Sequence, residues 1–259
     1  MCLNCHAVLN QRDLTAAQNG HDFLADQSGS SAEFYAITPE LLESVGQEVE
    51  KRADLLRFLF EQYPEVPRGT FLDFGAGRGF LCSAAARHFR VVYACELNTV
   101  TLEEMHPHLP HKDRINIISD VQAVKGALDT VAMFHVIEHL PDIRAVLTGI
   151  VDKLSEGGAL FFQIPMQRNE YLVFTHYTFL NEVSARTLCE SLGLDVLGVW
   201  YDTGLDFLTC IARKPSQAEI AERQGAERKR LAEKKPERKG WWQPIATLLK
   251  MDQRSAIKS

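Results

Sequence analysis

From residue 69 onward, short apolar runs alternate with stretches of helical periodicity, and this alternation constrains the fold more than any other feature of the chain. Near-continuous apolar strands separated by helices are typical of a parallel sheet that helices cover on both faces. The last two runs are joined by only five residues, a connection that is too short for a crossover and therefore predicts an antiparallel hairpin. The fold class is thus α/β. The predicted strands are 70–74, 90–96, 115–119, 130–135, 159–164, 195–201 and 207–213.

Three helices can be placed from their end signals. Thr38 precedes a proline and an acid, which is the pattern of a capped helix start, and an apolar face follows at three-to-four spacing. The periodic segment 143–154 is expected to end at Gly157-Gly158, and the segment 184–192 at Gly193.

Composition and charge divide the chain into an arm with a CxxC motif (1–34), a globular domain (35–214) and a basic tail (215–259). Residues 213–259 carry 13 Lys and Arg against 6 Asp and Glu, so the remaining 212 residues have a net charge of −13. An acidic body repels phosphates at long range, so we expect no nucleic-acid partner.

The chain as a whole has the composition of a globular protein, with 46% apolar and 24% charged residues. No run approaches the roughly 18 apolar residues of a membrane-spanning helix. The first residues lack the basic and apolar segments of a secretory signal. We therefore expect a cytoplasmic protein.

The strongest local motif is LDFGAGRGF at residues 72–80, between the first predicted strand and a helix. Glycines at such a turn let a ligand approach the backbone and the helix N-terminus. The dinucleotide pattern GxGxxG fails because position 80 is Phe, which disfavours an NAD-dependent oxidoreductase. Asp73, two residues before the first glycine, would repel a pyrophosphate and suits a ligand with an ammonium group or hydroxyls.

Over residues 35–213 the sequence resembles the class I S-adenosylmethionine-dependent methyltransferases, whose first motif reads acid-x-Gly-x-Gly-x-Gly after strand one. The resemblance implies a Rossmann-like seven-stranded sheet with a C-terminal antiparallel hairpin, and S-adenosyl-L-methionine as cofactor. It places Glu96 on the ribose hydroxyls, Asp120 on the adenine amino group and the end of the fourth strand on the methionine part. The implied cofactor-binding residues are Asp73, Gly75, Ala76, Gly77, Gly79, Glu96, Leu97, Asp120, Val121 and His135.

The fourth strand runs into the segment VIEHLPD, residues 136–142. This segment resembles a subset of the family that modifies small molecules, lipid intermediates and sugars. Some quinone-precursor methyltransferases in that subset hold a divalent metal here with acids and a histidine. This chain has Glu138 and His139 but His135 where an upstream acid would help. One carboxylate and histidines could still bind a metal, but we predict no metal and expect Glu138-His139 to shape the loop and orient His135.

Histidines are the candidate general bases, because an oxygen or carbon acceptor needs a proton removed near neutral pH. His135 and His139 follow the fourth strand, and His176 lies in a segment that covers the acceptor pocket in the similar subset. These three are the predicted catalytic residues. Methyl transfer is otherwise an in-line displacement in which positioning contributes much of the rate.

Two features lie outside the domain. Cys2-x-x-Cys5-His6 resembles half of a zinc site, with His21 as a further possible ligand, but a closed site needs about four ligands. The segment 240–250, GWWQPIATLLK, suits a peripheral membrane contact or a protein partner, or packs back on its own core.

The sequence therefore predicts a methyltransferase that acts on a small-molecule or lipid- or saccharide-linked acceptor. The alternative is a non-catalytic protein of the same fold that docks to a membrane or a partner through its C-terminal tail. The retained set of acids favours the enzyme.

Overall fold

The computed structural model describes residues 7–9, 36–166, 176–202 and 206–233. At its centre lies a seven-stranded sheet of β2 Thr70–Phe74, β3 Val91–Cys95, β4 Ile115–Ile118, β5 Leu128–Phe134, β6 Leu154–Pro165, β8 Asp195–Asp202 and β9 Phe207–Arg213. The spatial order of these strands is β4-β3-β2-β5-β6-β9-β8. The first five in this order are parallel, and β9 pairs antiparallel with both β6 and β8. The predicted fold class is confirmed.

Within the described residues, five α-helices connect or precede these strands, and a sixth follows them. They are α1 Pro39–Gln62, α2 Phe80–Ala85, α3 Thr99–Met105, α4 Ile143–Lys153, α5 Glu182–Ser191 and α6 Gln217–Glu233. The predicted start of α1 is confirmed, since the Thr38 hydroxyl accepts a hydrogen bond from the Leu41 N–H at 3.2 Å. Gly193 follows α5 with a φ of 77°, as a left-handed helix stop requires.

Several strand ends shift by one or two residues from the sequence prediction, and two differences are larger. Helix α4 ends at Lys153 and not at Gly157-Gly158, because β6 begins at Leu154 and runs through both glycines. The predicted arm contains a short strand, β1 Val8–Leu9, which pairs antiparallel with β7 Thr178–Phe179 to form a second, two-stranded sheet.

The core consists of two apolar clusters on opposite faces of the large sheet. Phe71, Ala132 and Phe161 belong to the cluster under α1 and α2. Their chain neighbours Leu72 and Met133 belong to the cluster under α4 and α5. Because successive strand side chains point to opposite faces, this alternation shows that helices cover both sides of the sheet.

The chain divides into two compact units, Met1–Ser216 and Gln217–Ser259. In the second unit α6 is exposed along Ala221–Arg230. Among the described residues, no helix is long and apolar enough to cross a membrane. Cys2, Cys5, His21 and the segment 240–250 lie outside the described residues, and the division into arm, domain and tail stays a prediction.

Candidate active site

Four parallel strands end side by side at one edge of the sheet, and a predicted site segment follows each of them. The strands are β4, β3, β2 and β5, in this spatial order. The loop 75–79 follows β2, Glu96 follows β3, Asp120 comes two residues after β4, and His135 follows β5 directly. The sheet therefore brings the four predicted segments to one edge, where open α/β sheets bind their ligands.

The glycine loop turns through left-handed backbone conformations. The φ angles are 80° at Gly75, 53° at Gly77 and 77° at Gly79. The N–H groups of Gly75 and Ala76 donate to the Cys95 carbonyl at 2.8 and 3.1 Å, which ties the loop to β3. A Cβ on Gly75 would overlap with the Val136 side chain, whereas a Cβ on Gly77 would meet no atom of the described part of the chain within 4 Å. The loop thus packs tightly against Val136 at Gly75, and the described residues leave space for a ligand beside Gly77.

Glu96 holds this loop through its carboxylate. Its Oε2 accepts a hydrogen bond from the Gly77 N–H at 2.9 Å, and its Oε1 accepts one from the Asn98 N–H at 3.3 Å. A carboxylate has about four lone-pair positions, so these two bonds leave capacity for hydroxyl donors. The adjacent Leu97 is 75% exposed and borders the open side of the edge.

Asp73 lies near the end of β2 and is buried, with only 3% of its surface exposed. Its Oδ2 accepts a hydrogen bond from the Cys82 thiol at 3.4 Å. Burial raises the pKa of Asp73 to about 7; the thiol hydrogen bond opposes this shift and the negative charge of Glu96 adds to it. The first predicted acid is therefore a buried group that titrates near neutral pH.

Asp120 is exposed and caps a 3₁₀ turn. Its Oδ1 accepts a hydrogen bond from the Gln122 N–H at 2.8 Å, at the start of the turn Val121–Ala123. Val121 itself is half-buried. One carboxylate oxygen is thus engaged with the backbone, which fixes the orientation of the group.

The strand order places the three acids around the end of β3, where Cys95 lies. Burial raises the pKa of Cys95 to about 12, and the charges of Glu96, Asp120 and Asp73 each contribute to this rise. One group at the end of β3 therefore lies within electrostatic reach of all three predicted carboxylates. We call the loop 73–79 together with Glu96 and Asp120 the cofactor edge.

His135 occupies a strained turn directly after β5. Its φ is 56°, and its N–H donates to the Gln163 carbonyl at 2.8 Å. The ring packs edge-on against Phe207, with centroids 4.4 Å apart, and the side chain is 39% exposed. Its Nδ1 is 3.6 Å from Glu138 Oε1, which is longer than a hydrogen bond. The ring is thus accessible beside the cofactor edge.

His139 and His176 lie together, although they are 37 positions apart in the sequence. Their ring centroids are 4.8 Å apart, and His176 is buried. The Tyr177 N–H donates to the Glu138 carbonyl at 2.7 Å, and this bond joins the segment before β7 to the 3₁₀ turn Ile137–His139. The structure therefore brings two of the predicted histidines together, while the third, His135, stays partly exposed beside Glu138.

Glu138 lies between these histidines. It is 2% exposed, and within the described part of the chain neither carboxylate oxygen has a hydrogen-bond partner. One ligand atom each from Glu138, His139 and His176 lie within 4.8 Å of one another. We call these three residues the histidine cluster.

Sequence reasoning expected Glu138 and His139 to shape the loop and orient His135, and it overlooked Cys82 and Phe207. The thiol of Cys82 bonds Asp73, and Phe207 supports the His135 ring. Neither pairing leaves a signal in the sequence, because each joins separate elements.

Residues 46–199 match the family model described as a methyltransferase domain. This match covers more than half of the chain, and the chain belongs to this methyltransferase family.

Ubiquinone biosynthesis O-methyltransferases are among its curated relatives. The protein from Xanthomonas campestris pv. campestris (strain B100) is 26% identical over 142 residues, which cover 52% of this chain and 53% of the relative. The protein from Xanthomonas axonopodis pv. citri (strain 306) is 27% identical over 143 residues, with the same coverage. The matched part of the chain spans about half the length of these relatives.

Solved structures share the fold. Magnesium protoporphyrin IX methyltransferase from Synechocystis PCC 6803, solved with bound SAH, has a TM-score of 0.53 at 13% identity and covers 75% of this chain and 99% of its own. The N-methyltransferase NodS from Bradyrhizobium japonicum WM9 has a TM-score of 0.52 at 16% identity, with 64% and 96% coverage.

Proposed function

We propose that this protein transfers a methyl group from S-adenosylmethionine to a hydroxyl of a small-molecule acceptor. The observation that carries the proposal is the convergence of Asp73, Glu96 and Asp120 around the end of β3, with Glu96 bound to the glycine loop. Membership of the methyltransferase family and the O-methyltransferases among the relatives support the same reaction.

The residues of the cofactor edge fit the proposed cofactor. Among the described residues, no atom lies within 4 Å of a Cβ position on Gly77. Glu96 keeps lone pairs for the two ribose hydroxyls, and Asp120 keeps one oxygen for the adenine amino group. We assign Leu97 and Val121 to the borders of the part of the cofactor edge that would bind the adenine and ribose.

S-adenosylmethionine supplies a methyl group that is already activated by the sulfonium. The chain's own residues therefore have to orient the acceptor, exclude water and receive a proton from its hydroxyl. His135 is accessible beside the cofactor edge, and its ring packs against Phe207. A neutral imidazole there can accept the hydroxyl proton, and we assign this role to His135.

We also propose which class of acceptor receives the methyl group. The curated relatives are named for ubiquinone biosynthesis, and we extend the acceptor class to lipid-linked and saccharide-linked molecules that carry a hydroxyl. We place the reaction in the cytoplasm and assign residues 240–250 to a contact with a membrane surface or a partner that presents such an acceptor. A chain that lacks this segment should then keep its affinity for the cofactor.

Calorimetric titration with S-adenosylmethionine tests the proposal. We expect micromolar binding, and we expect Glu96→Ala to weaken it about 100-fold, because the variant loses a charged hydrogen-bond acceptor for two hydroxyls. Glu96→Gln keeps an acceptor for the Gly77 N–H and should lose part of the affinity only. Glu103→Ala removes an exposed glutamate of α3 and serves as the matched control.

Transfer of a tritiated methyl group into fractionated cell extract then tests the reaction and identifies the acceptor. Binding of NADH without affinity for the sulfonium would refute the proposal. Cofactor binding without transfer into any fraction would instead support the non-catalytic alternative.

A further inference from the structure

The carboxylate of Glu138 is buried without a hydrogen bond from the described residues. Glu138 is 2% exposed, and within that part of the chain neither oxygen accepts a hydrogen bond. A buried carboxylate is unfavourable unless a cation or a hydrogen-bond donor offsets its charge. Such a carboxylate is suited to a positive charge that appears only during a reaction, because no hydrogen bond of the resting state already uses its attraction.

His135 is placed to carry that positive charge. Its Nδ1 lies 3.6 Å from Glu138 Oε1, so a shift of less than about 1 Å would bring the two atoms to hydrogen-bond distance. The His135 N–H donates to the Gln163 carbonyl at 2.8 Å. The Glu138 carbonyl accepts a hydrogen bond from the Tyr177 N–H at 2.7 Å. The backbone therefore holds the two residues close together, and only their side chains have to rotate.

The conformation of His135 supports the same pairing. Its φ is 56°, a left-handed value that is uncommon for residues other than glycine and is found at functional sites. Its ring packs edge-on against Phe207, and 39% of the side chain is exposed. With Nδ1 on the side of the buried carboxylate, Nε2 is the ring nitrogen that remains for an acceptor.

We propose that Glu138 is a positioning residue for His135. Its carboxylate accepts a hydrogen bond from the Nδ1–H of the neutral imidazole, which fixes the tautomer whose basic nitrogen is Nε2. The hydroxyl proton moves to Nε2 as the acceptor oxygen bonds to the methyl carbon and the carbon–sulfur bond breaks. The positive charge lost from the sulfonium then lies on the imidazolium, which Glu138 stabilises.

Glu138 thus does more than orient the ring, since it also stabilises the charge that develops during transfer. This role in transfer rests on the proposed function, whereas the hydrogen bond between the two side chains does not depend on it.

Nuclear magnetic resonance of the full chain with ¹⁵N-labelled histidine tests the hydrogen bond without an acceptor. The signals of His135 are assigned by their loss in His135→Asn, and we expect the neutral ring to be protonated at Nδ1. Glu138→Met introduces an apolar side chain of similar length and leaves no buried charge behind. It should shift His135 towards the Nε2–H tautomer, because Nδ1–H loses its acceptor. Glu103→Met, at an exposed glutamate of α3, is the matched control and should leave the tautomer unchanged.

The rate of methyl transfer tests the role in the reaction, with the extract fraction that takes up the tritiated methyl group as the acceptor. Glu138→Met should lower the rate at saturating S-adenosylmethionine about 100-fold, while the calorimetric affinity for the cofactor changes little. Glu138→Gln should lose an intermediate amount, because the amide can accept the Nδ1–H but carries no charge. In a His135→Asn chain, Glu138→Met should lower the rate by no more than about twofold, because Glu138 acts through the imidazole.

The outcomes separate this proposal from the proposed function. An Nε2-protonated His135 in the unsubstituted chain would overturn the pairing and leave the proposed function standing. A full further loss from Glu138→Met in the His135→Asn chain would also overturn it, since Glu138 would then act independently of His135. A tautomer that depends on Glu138, in a chain that transfers no methyl group into any fraction, would support the hydrogen bond and refute the proposed function.

Discussion

The cofactor edge and the histidine cluster lie at neighbouring strand ends, but their carboxylates are satisfied in different ways. Glu96 accepts hydrogen bonds from two backbone N–H groups, and Asp120 accepts one. Glu138 accepts none from the described residues. The cofactor edge is therefore preorganised by its own backbone, whereas the carboxylate of the histidine cluster is buried without a backbone hydrogen bond from the described residues.

The two regions also differ in how the chain assembles them. The glycine loop, Glu96 and Asp120 each follow a strand within two residues, so their geometry is set by the sheet. The histidine cluster combines a 3₁₀ turn with the segment before β7. The geometry of the cofactor edge therefore depends on the register of the parallel strands. The geometry of the histidine cluster depends on a tertiary contact between distant segments.

The largest expected effect concerns the pH dependence of stability through Asp73. In the unfolded chain Asp73 ionises near the ordinary aspartate pKa of 3.8, and in the folded protein its pKa is about 7. Between these values the folded state holds more protons, so stability falls as pH rises. This shift corresponds to at most about 4 kcal/mol. In the Asp73→Asn variant, denaturant unfolding across this range should lose that part of the pH dependence.

The exposed Asp113→Asn variant is the control and should keep the wild-type slope. An unchanged slope in Asp73→Asn would show that Asp73 does not titrate near neutral pH, and the buried floor of the cofactor edge would need a different explanation.

The next effect tests the contact between the two regions. Gly75→Ala places a Cβ against Val136 at a φ of 80°. We expect a loss of about 3 kcal/mol, which combines left-handed strain with overlap. Adding Val136→Ala removes the overlap, so the double variant should recover only the part of the lost unfolding free energy that comes from overlap. Chemical denaturation measures this free energy.

Gly77→Ala is the matched variant, because the φ of Gly77 is also positive but the new Cβ would meet no atom within 4 Å in the residues that the structure describes. It should lose about 1–2 kcal/mol from strain alone. Equal losses in the two single variants would contradict the contact between the glycine loop and Val136.

Most of the fold could be predicted from the sequence, because apolar runs and end signals are local. The strands 70–74 and 207–213 have their predicted bounds, and α1 begins after its Thr38 cap. The predicted end of α4 was wrong, since strand pairing of β6 with β5 begins at Leu154 and overrides the glycine signal.

The candidate site likewise has parts that could be predicted from the sequence and parts that could not. The glycine loop, Glu96 and Asp120 could be found because their positions at strand ends are local features. The burial of Asp73 beside Cys82 and the approach of His176 to His139 could not, because each depends on packing between separate elements. Such contacts become visible only in three dimensions.

A smaller effect is expected at His135. His135→Asn keeps a residue that tolerates a positive φ but removes the imidazole. The rate of transfer at saturating cofactor should fall about 100-fold, while calorimetric affinity for S-adenosylmethionine changes little. His108→Asn is the control, and a wild-type rate in His135→Asn would refute its role as base.

The smallest effect comes from the helix that follows the histidine cluster. Asn181 caps α5 by accepting a hydrogen bond from the Ser184 N–H at 3.0 Å, and the Ser184 hydroxyl accepts one from the Asn181 N–H at 2.7 Å. Asn181→Ala should lower the free energy of unfolding by about 1 kcal/mol, and Thr38→Ala at α1 should do the same. Because neither cap belongs to the cofactor edge, both variants should bind S-adenosylmethionine with wild-type affinity. A large loss of that affinity in Asn181→Ala alone would mean that α5 and the cofactor edge are coupled, and that the two regions are less independent than their hydrogen bonds indicate.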